Sequence, residues 1–170
     1  MEVLIGGRSA GEMPGLDIAE ERSWQNFLEA AVRMSAILNR GLVDTHRLTL
    51  NDVRLLDMLK KSATGSARMG DLAEQLISLP SRVTRQIRRL EAQGLVRREA
   101  SPDDRRGVLA TITDEGRATV DQAMMTYGQY VKAHFLSQLS RPQVAALGEN
   151  CRRINHGLKM ASPPRRLGRI

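Results

Sequence analysis

The sequence predicts a mainly α-helical protein with a small β-hairpin wing: a winged helix-turn-helix domain between N- and C-terminal helices. Apolar residues recur at three- and four-residue spacings in several segments, which is typical of amphipathic helices. Between residues 95 and 112 the pattern changes to two short extended segments around a polar turn, which indicates a hairpin. The segment immediately before that hairpin is both amphipathic and rich in arginine.

Composition limits the possible classes of protein. The 170 residues are 41% hydrophobic and 26% charged, as in globular proteins, and the net charge of +7 favours an anionic partner such as nucleic acid. The sequence has no apolar run of the ~20 residues that span a bilayer, and no signal peptide is visible, so we expect a cytoplasmic protein with no membrane partner. A single cysteine, Cys151, excludes an internal disulfide. Aromatic residues are only 3%, which argues against a protein that stacks single-stranded bases.

The positive charge is concentrated in parts of the chain. Residues 82–106 contain eight arginines and four acidic residues, whereas residues 1–30 contain six acidic residues and two arginines. From Arg152 onward there are six basic residues and no acidic one. Clustered charge of this kind is the electrostatic signature of a nucleic-acid binding surface.

The N-terminal part is predicted to be a leader followed by a dimerisation helix. Residues 1–20 lack periodicity and are interpreted as a flexible leader. In residues 21–48, Trp24 and Leu28 lie on one apolar stripe and are predicted to contact a second copy of the chain. We expect Gly41 to fray the end of this helix.

Residues 49–113 are predicted to form the winged helix-turn-helix domain. Thr49 and Asp52 resemble a capping box at the start of its first helix. A short helix and a turn follow, and Pro80 then begins a helix that ends near Gly94. The hairpin comes next and carries Asp104, Arg105 and Arg106 at its tip.

Residues 114–160 are predicted to form two C-terminal dimerisation helices, and residues 161–170 a basic tail. Thr113 caps the first of these helices, and Arg141 begins the second. The second has a heptad-like apolar seam, which is the pattern that packs against another helix. The seam consists of Val144, Leu147, Cys151, Ile154 and Leu158.

The helix after Pro80 is the candidate DNA-recognition helix. Val83, Ile87 and Leu90 give it one buried face, which leaves its polar residues on the other faces. Arginine can pair with guanine through two hydrogen bonds, and arginines further along such a helix contact phosphates. An arginine at a hairpin tip can enter a narrow minor groove. The predicted DNA-binding residues are Pro80, Ser81, Arg82, Thr84, Arg85, Arg88, Arg89, Asp104, Arg105 and Arg106.

The sequence gives little support for redox sensing, metal binding or catalysis. Cys151 fits a small buried hydrophobe better than a sensor thiol, and His46, His134 and His156 lack the spacing of metal ligands. No nucleophile motif, phosphate-binding loop or carboxylate pair predicts an enzyme, and no cofactor is expected. The alternative to a DNA-binding regulator is a winged-helix scaffold that docks proteins and binds DNA weakly or not at all.

The central residues resemble the MarR-type transcriptional regulators. Residues 79–96 look like that family's recognition helix and exit strand, and residues 101–109 look like its wing, with Asp104 and Arg106 as the most specific pair. The resemblance implies a homodimer that binds a pseudo-palindrome with two recognition helices one DNA turn apart. It further implies regulation by a small phenolic or lipophilic effector, or by cysteine oxidation. We expect the regulator to be a repressor. Ile77 and Leu79 depart from the pattern, because relatives more often have glycine and a polar cap there.

Overall fold

The computed structural model describes residues 13–101 and 104–161, and of residues 101 and 104–106 it describes the backbone alone. The predicted fold class is confirmed: the described chain is mainly helical, with one small antiparallel sheet. A short 3-10 helix, Leu136–Gln138, precedes the last α-helix. The elements in chain order are α1 (Ile18–His46), α2 (Leu50–Lys61), β1 (Ser66–Arg68), α3 (Met69–Gln75), α4 (Pro80–Ala92), β2 (Val96–Ser101), β3 (Asp104–Ile112), α5 (Asp114–His134) and α6 (Arg141–Ala161).

Helix α1 begins earlier than predicted, within the segment that was interpreted as a leader. The backbone N–H of Glu20 donates to Asp17 Oδ1 at 2.8 Å, and the N–H of Asp17 donates to Glu20 Oε2 at 2.9 Å. This reciprocal capping box satisfies N–H groups that the first helical turn otherwise leaves unpaired, so the helix begins at Ile18. Residues 1–12 of the predicted leader and residues 162–170 of the predicted tail lie outside the described chain.

Gly41 does not fray α1, and that prediction is wrong. The helix continues to His46, and Gly41 is buried in it. A Cβ atom at this position would lie 2.5 Å from the ring of Tyr130 on α5. Glycine is therefore found here because it allows the two helices to approach closely, as small residues do at tight helix contacts.

The sheet has three strands in the order β1-β3-β2, of which only the β2–β3 hairpin was predicted. Strand β1 pairs antiparallel with β3, with Ser66 opposite Thr111, and the two hydroxyl oxygens lie 2.8 Å apart. With three residues, β1 is too short to show a period, so the sequence pattern did not predict it. In the hairpin, Val96 lies opposite Ile112 and Ala100 opposite Val108.

The core lies between α2, α4, the sheet and the first half of α5. Its fully buried side chains include Leu56 of α2 and Val120 of α5. The three residues predicted to bury one face of α4 do so: Val83, Ile87 and Leu90 are all 0% exposed. This packing fixes which face of α4 points outward.

The C-terminal unit begins at Val131 and contains α6. Across its described length α6 has no buried residue. Val144, Leu147 and Cys151 of the predicted seam are partly buried, whereas Ile154 and Leu158 are 58% and 61% exposed. An amphipathic helix with an exposed apolar seam is typical of a helix that meets another chain.

Replacing Gly116 with alanine should destabilise the protein. A Cβ atom there would clash with the backbone carbonyl of Leu95, which accepts a 3.1 Å hydrogen bond from the N–H of Thr113. We expect the free energy of unfolding in urea to fall by about 1–3 kcal/mol, as for other overpacked sites. The matched control is Gly128→Ala on the same helix, where a Cβ meets nothing within 4 Å and stability should be unchanged or higher. Equal stability of the two variants would contradict this packing.

Candidate nucleic-acid interface

Helix α4 presents an arginine face opposite its buried face. Pro80 occupies the first turn, where a missing N–H costs little. Ser81, Arg82, Arg85 and Arg88 are exposed, and we call these four residues the arginine face. The burial pattern of α4 thus places the predicted base-contacting and phosphate-contacting side chains together on open surface.

Thr84 is partly withdrawn from this surface. It is half-buried, and its hydroxyl donates a 2.9 Å hydrogen bond to the backbone carbonyl of Pro80. Because a hydroxyl has a single proton, Thr84 can offer DNA only its acceptor lone pairs while this bond lasts.

A buried carboxylate joins α2 to α4. Asp52 is 0% exposed, although a charged side chain is rarely buried without partners. The N–H and hydroxyl of Thr49 donate to its Oδ2 at 2.8 and 2.6 Å, which confirms the predicted capping box. Gln86 Nε2 donates to Oδ1 at 3.0 Å, and Arg89 forms an ion pair with the same oxygen. The first turn of α2 therefore holds two side chains of the predicted recognition helix.

Arg89 has this second partner in addition to the DNA contact predicted for it. Its side chain is 46% exposed, and one guanidinium nitrogen bonds Asp52. A guanidinium has five N–H donors, so several remain for a phosphate. Sequence reasoning identified Asp52 only as a cap residue and missed Gln86. The sequence feature that could have indicated this contact is the position of Asp52 on the otherwise apolar face of α2.

A concave surface lies beside the arginine face. This groove, of roughly 560 Å³, runs from the start of α2 past the α3–α4 turn to α4. Its lining includes three arginines, which suits a polyanion better than a small apolar molecule. The groove is lined by Thr49, Asn51, Leu76, Ile77, Ser78, Arg82, Arg85, Gln86 and Arg89.

The hairpin is present where the wing was predicted, but the chemistry of its tip is not described. The backbone of Asp104 pairs with that of Ser101. The side chains of Asp104, Arg105 and Arg106 lie outside the described part of the chain, so their DNA contacts stay predictions. At the base of the hairpin, Arg98 Nε donates to Glu91 Oε2 at 2.7 Å, which joins β2 to α4.

Comparison with known proteins identifies the family. The MarR family model matches residues 48–108. The structure of AbsC, a MarR family transcriptional regulator from Streptomyces coelicolor, has 31% sequence identity and a TM-score of 0.78; the match covers 86% of this chain and 99% of that one. Sco3205, a MarR family regulator from the same organism solved in complex with DNA, has 31% identity and a TM-score of 0.80, with 87% and 92% covered.

The chain belongs to the MarR family. Among curated proteins it is 35% identical over 77 residues to YhbI of Bacillus subtilis, an uncharacterized HTH-type transcriptional regulator. That match covers 45% of this chain and 50% of the relative, so it spans about half of the relative's length. The structure of BpsR from Bordetella bronchiseptica, whose DNA binding is regulated by 6-hydroxynicotinic acid, has 25% identity and a TM-score of 0.69, with 79% and 98% covered.

The remaining predicted residues of this MarR-family chain lie outside the groove. On α1, Trp24 and Leu28 are 48% and 43% exposed, and the Trp24 and Phe27 rings contact each other at a tilt of 35°, with centroids 5.9 Å apart. His46 Nε2 lies 2.8 Å from Thr126 Oγ1, so it joins α1 to α5. Within residues 13–101 and 104–161, no cluster of His, Cys, Asp or Glu side chains could hold a metal ion. In those same residues, no helix has the length and apolar character to cross a membrane.

Asp52→Ala should destabilise the protein strongly. It removes the acceptor of four hydrogen bonds and leaves partly buried donors unpaired, so we expect a loss of about 2–4 kcal/mol in the free energy of unfolding. The matched control is Asp57→Ala on the same helix, which removes an exposed i,i+4 pair with Lys61 worth about 0.3–0.5 kcal/mol. Urea unfolding of both variants checks this. A loss at Asp52 no larger than that at Asp57 would show that the buried network does not hold α4.

Proposed function

We propose that this protein is a transcriptional regulator that binds a specific pseudo-palindromic sequence of double-stranded DNA as a homodimer and represses transcription. The observation that supports this most is the arginine face of α4, held outward by the buried Val83, Ile87 and Leu90. The family relationship supports the same conclusion, because one similar MarR-family structure is a complex with DNA.

The dimensions of α4 suit the major groove. A helix with its side chains is about 10–12 Å across, and the major groove of B-DNA is about 12 Å wide. Arg82 and Arg85 lie in the first half of α4, and it is the N-terminal residues of a recognition helix that reach base edges. We assign base contacts to Arg82 and Arg85, and phosphate contacts to Arg88 and to the remaining donors of Arg89.

The wing supplies a second contact in this proposal. An arginine inserted in a narrow minor groove meets the most negative potential of the duplex. We assign this contact to Arg105 and Arg106 of β3, and we assign Asp104 the role of orienting Arg106. These roles rest on the position of the residues in the chain and on the family resemblance.

Two apolar surfaces support a homodimer. Trp24 and Leu28 of α1, and Ile154 and Leu158 of α6, are each more than two-fifths exposed. Such exposed apolar stripes are characteristic of helices that become buried in an oligomer. A two-fold dimer would present two copies of α4 to two half-sites, and both must be engaged together for tight binding.

We further propose that a small phenolic or lipophilic effector controls DNA binding. Support comes from BpsR, the similar MarR-family protein that responds to 6-hydroxynicotinic acid. A ligand that binds one arrangement of the dimer more tightly would shift the spacing of the two recognition helices. Release of bound DNA by such a compound tests this, and an affinity that no compound of the class changes would contradict it.

Substitutions on α4 should separate base reading from phosphate binding. With a duplex selected by the wild-type protein from a random pool, Arg85→Ala should lose about 1–3 kcal/mol of preference for one base pair. Arg88→Ala should instead weaken binding to all duplexes alike and reduce the salt slope by about 1. Titrations at several salt concentrations check both effects.

The control for this experiment is Arg33→Ala on α1, which removes the same charge from a side chain that is 71% exposed. It should leave base preference unchanged. If the wild-type protein binds selected and random DNA equally, the regulator proposal fails. The alternative, a winged-helix scaffold that docks proteins, then becomes the better interpretation.

A further inference from the structure

The turn between α3 and α4 contains an isoleucine in an unfavourable backbone conformation. Ile77 has a φ of 50°, in the left-handed region that glycine adopts easily and β-branched residues rarely do. Its conformation is fixed by two hydrogen bonds: the N–H of Ile77 donates to the carbonyl of Glu74 at 3.0 Å, and the N–H of Ser78 donates to that of Ala73 at 2.9 Å. This pair of bonds is a Schellman motif, which ends α3.

Helix α4 ends in the same motif with the expected residue. The N–H of Gly94 donates to Glu91 at 2.9 Å, and the N–H of Leu95 donates to Leu90 at 3.0 Å. Gly94 has a φ of 75°, and Leu95 and Leu90 are both buried in the core. The chain thus uses glycine at this position of one helix end and isoleucine at the equivalent position of the other.

Burial does not explain the isoleucine. Ile77 is 85% exposed, so its side chain gains almost nothing from the hydrophobic effect in the free protein. A strained residue whose side chain is also exposed points to a function, because stability alone would favour glycine. Ile77 lines the same groove as Arg82 and Arg85 of the arginine face.

We propose that Ile77 determines specificity by contacting the 5-methyl group of a thymine beside the bases read by α4. This inference rests on the proposed DNA-binding function. The thymine methyl is the apolar group that base pairs display in the major groove, and contact with it removes apolar surface of both molecules from water. The left-handed turn places the Ile77 side chain at the edge of the protein's concave surface, where α4 begins.

The test replaces each thymine of the selected duplex, one at a time, with deoxyuridine, which lacks only the methyl group. Wild-type protein should bind about fourfold more weakly at one position per half-site, the effect of exposing one methyl-sized group. Ile77→Gly should bind the thymine and deoxyuridine duplexes alike at that position. Because glycine relieves the strained φ, this variant should unfold at the same or a higher urea concentration than wild type.

The matched control is Leu79→Ala, which removes the neighbouring exposed apolar side chain, 54% exposed, without changing Ile77. It should retain the wild-type preference for thymine. The proposal is wrong if wild type is indifferent to deoxyuridine at every position, or if Ile77→Gly keeps the preference. A wild-type protein that selects no duplex at all would overturn the proposed function itself, a result distinct from either.

Discussion

One buried carboxylate, Asp52, joins α4 to α2 and, together with the buried apolar face of α4, sets the orientation of that helix. A buried charge is costly unless hydrogen bonds replace the water it loses, and Asp52 has donors from Thr49, Gln86 and Arg89. Two of these donors belong to α4 and one to the residue that caps α2. The network therefore fixes the two helices to each other at one end, while the buried apolar face of α4 fixes its rotation.

In the proposed function, this arrangement divides the arginines of α4 between structure and binding. Arg89 has one nitrogen on Asp52, whereas the side chains of Arg82, Arg85 and Arg88 are exposed. A rigid support of this kind lowers the entropy that a recognition helix loses on binding. Ile77 lines the groove beside the arginine face. Its left-handed φ lies at a helix end, where glycine is the usual residue. Such departures are expected at functional positions, where stability is not the only requirement.

The sequence predicted the elements whose pattern is long or chemically explicit. The apolar period of α4, with Pro80 in its first turn and Gly94 after its end, predicted that helix almost to the residue. Strand β1 was missed because its three residues have no period of their own. The partnership of Arg89 with Asp52 was missed because it joins positions 37 residues apart, and local spacing carries no information on such contacts. The start of α1 was misplaced because its capping box, Asp17 with Glu20, lies in a segment that lacks apolar periodicity.

The most direct test of DNA recognition by a homodimer has two steps. The wild-type protein selects DNA from a random pool, and the mass of the resulting complex is then measured. We expect an enriched pseudo-palindrome with half-site centres about 10 base pairs apart, bound by two copies of the chain. We also expect binding that weakens steeply with salt. No enriched sequence, or a single half-site bound by one copy, would contradict it.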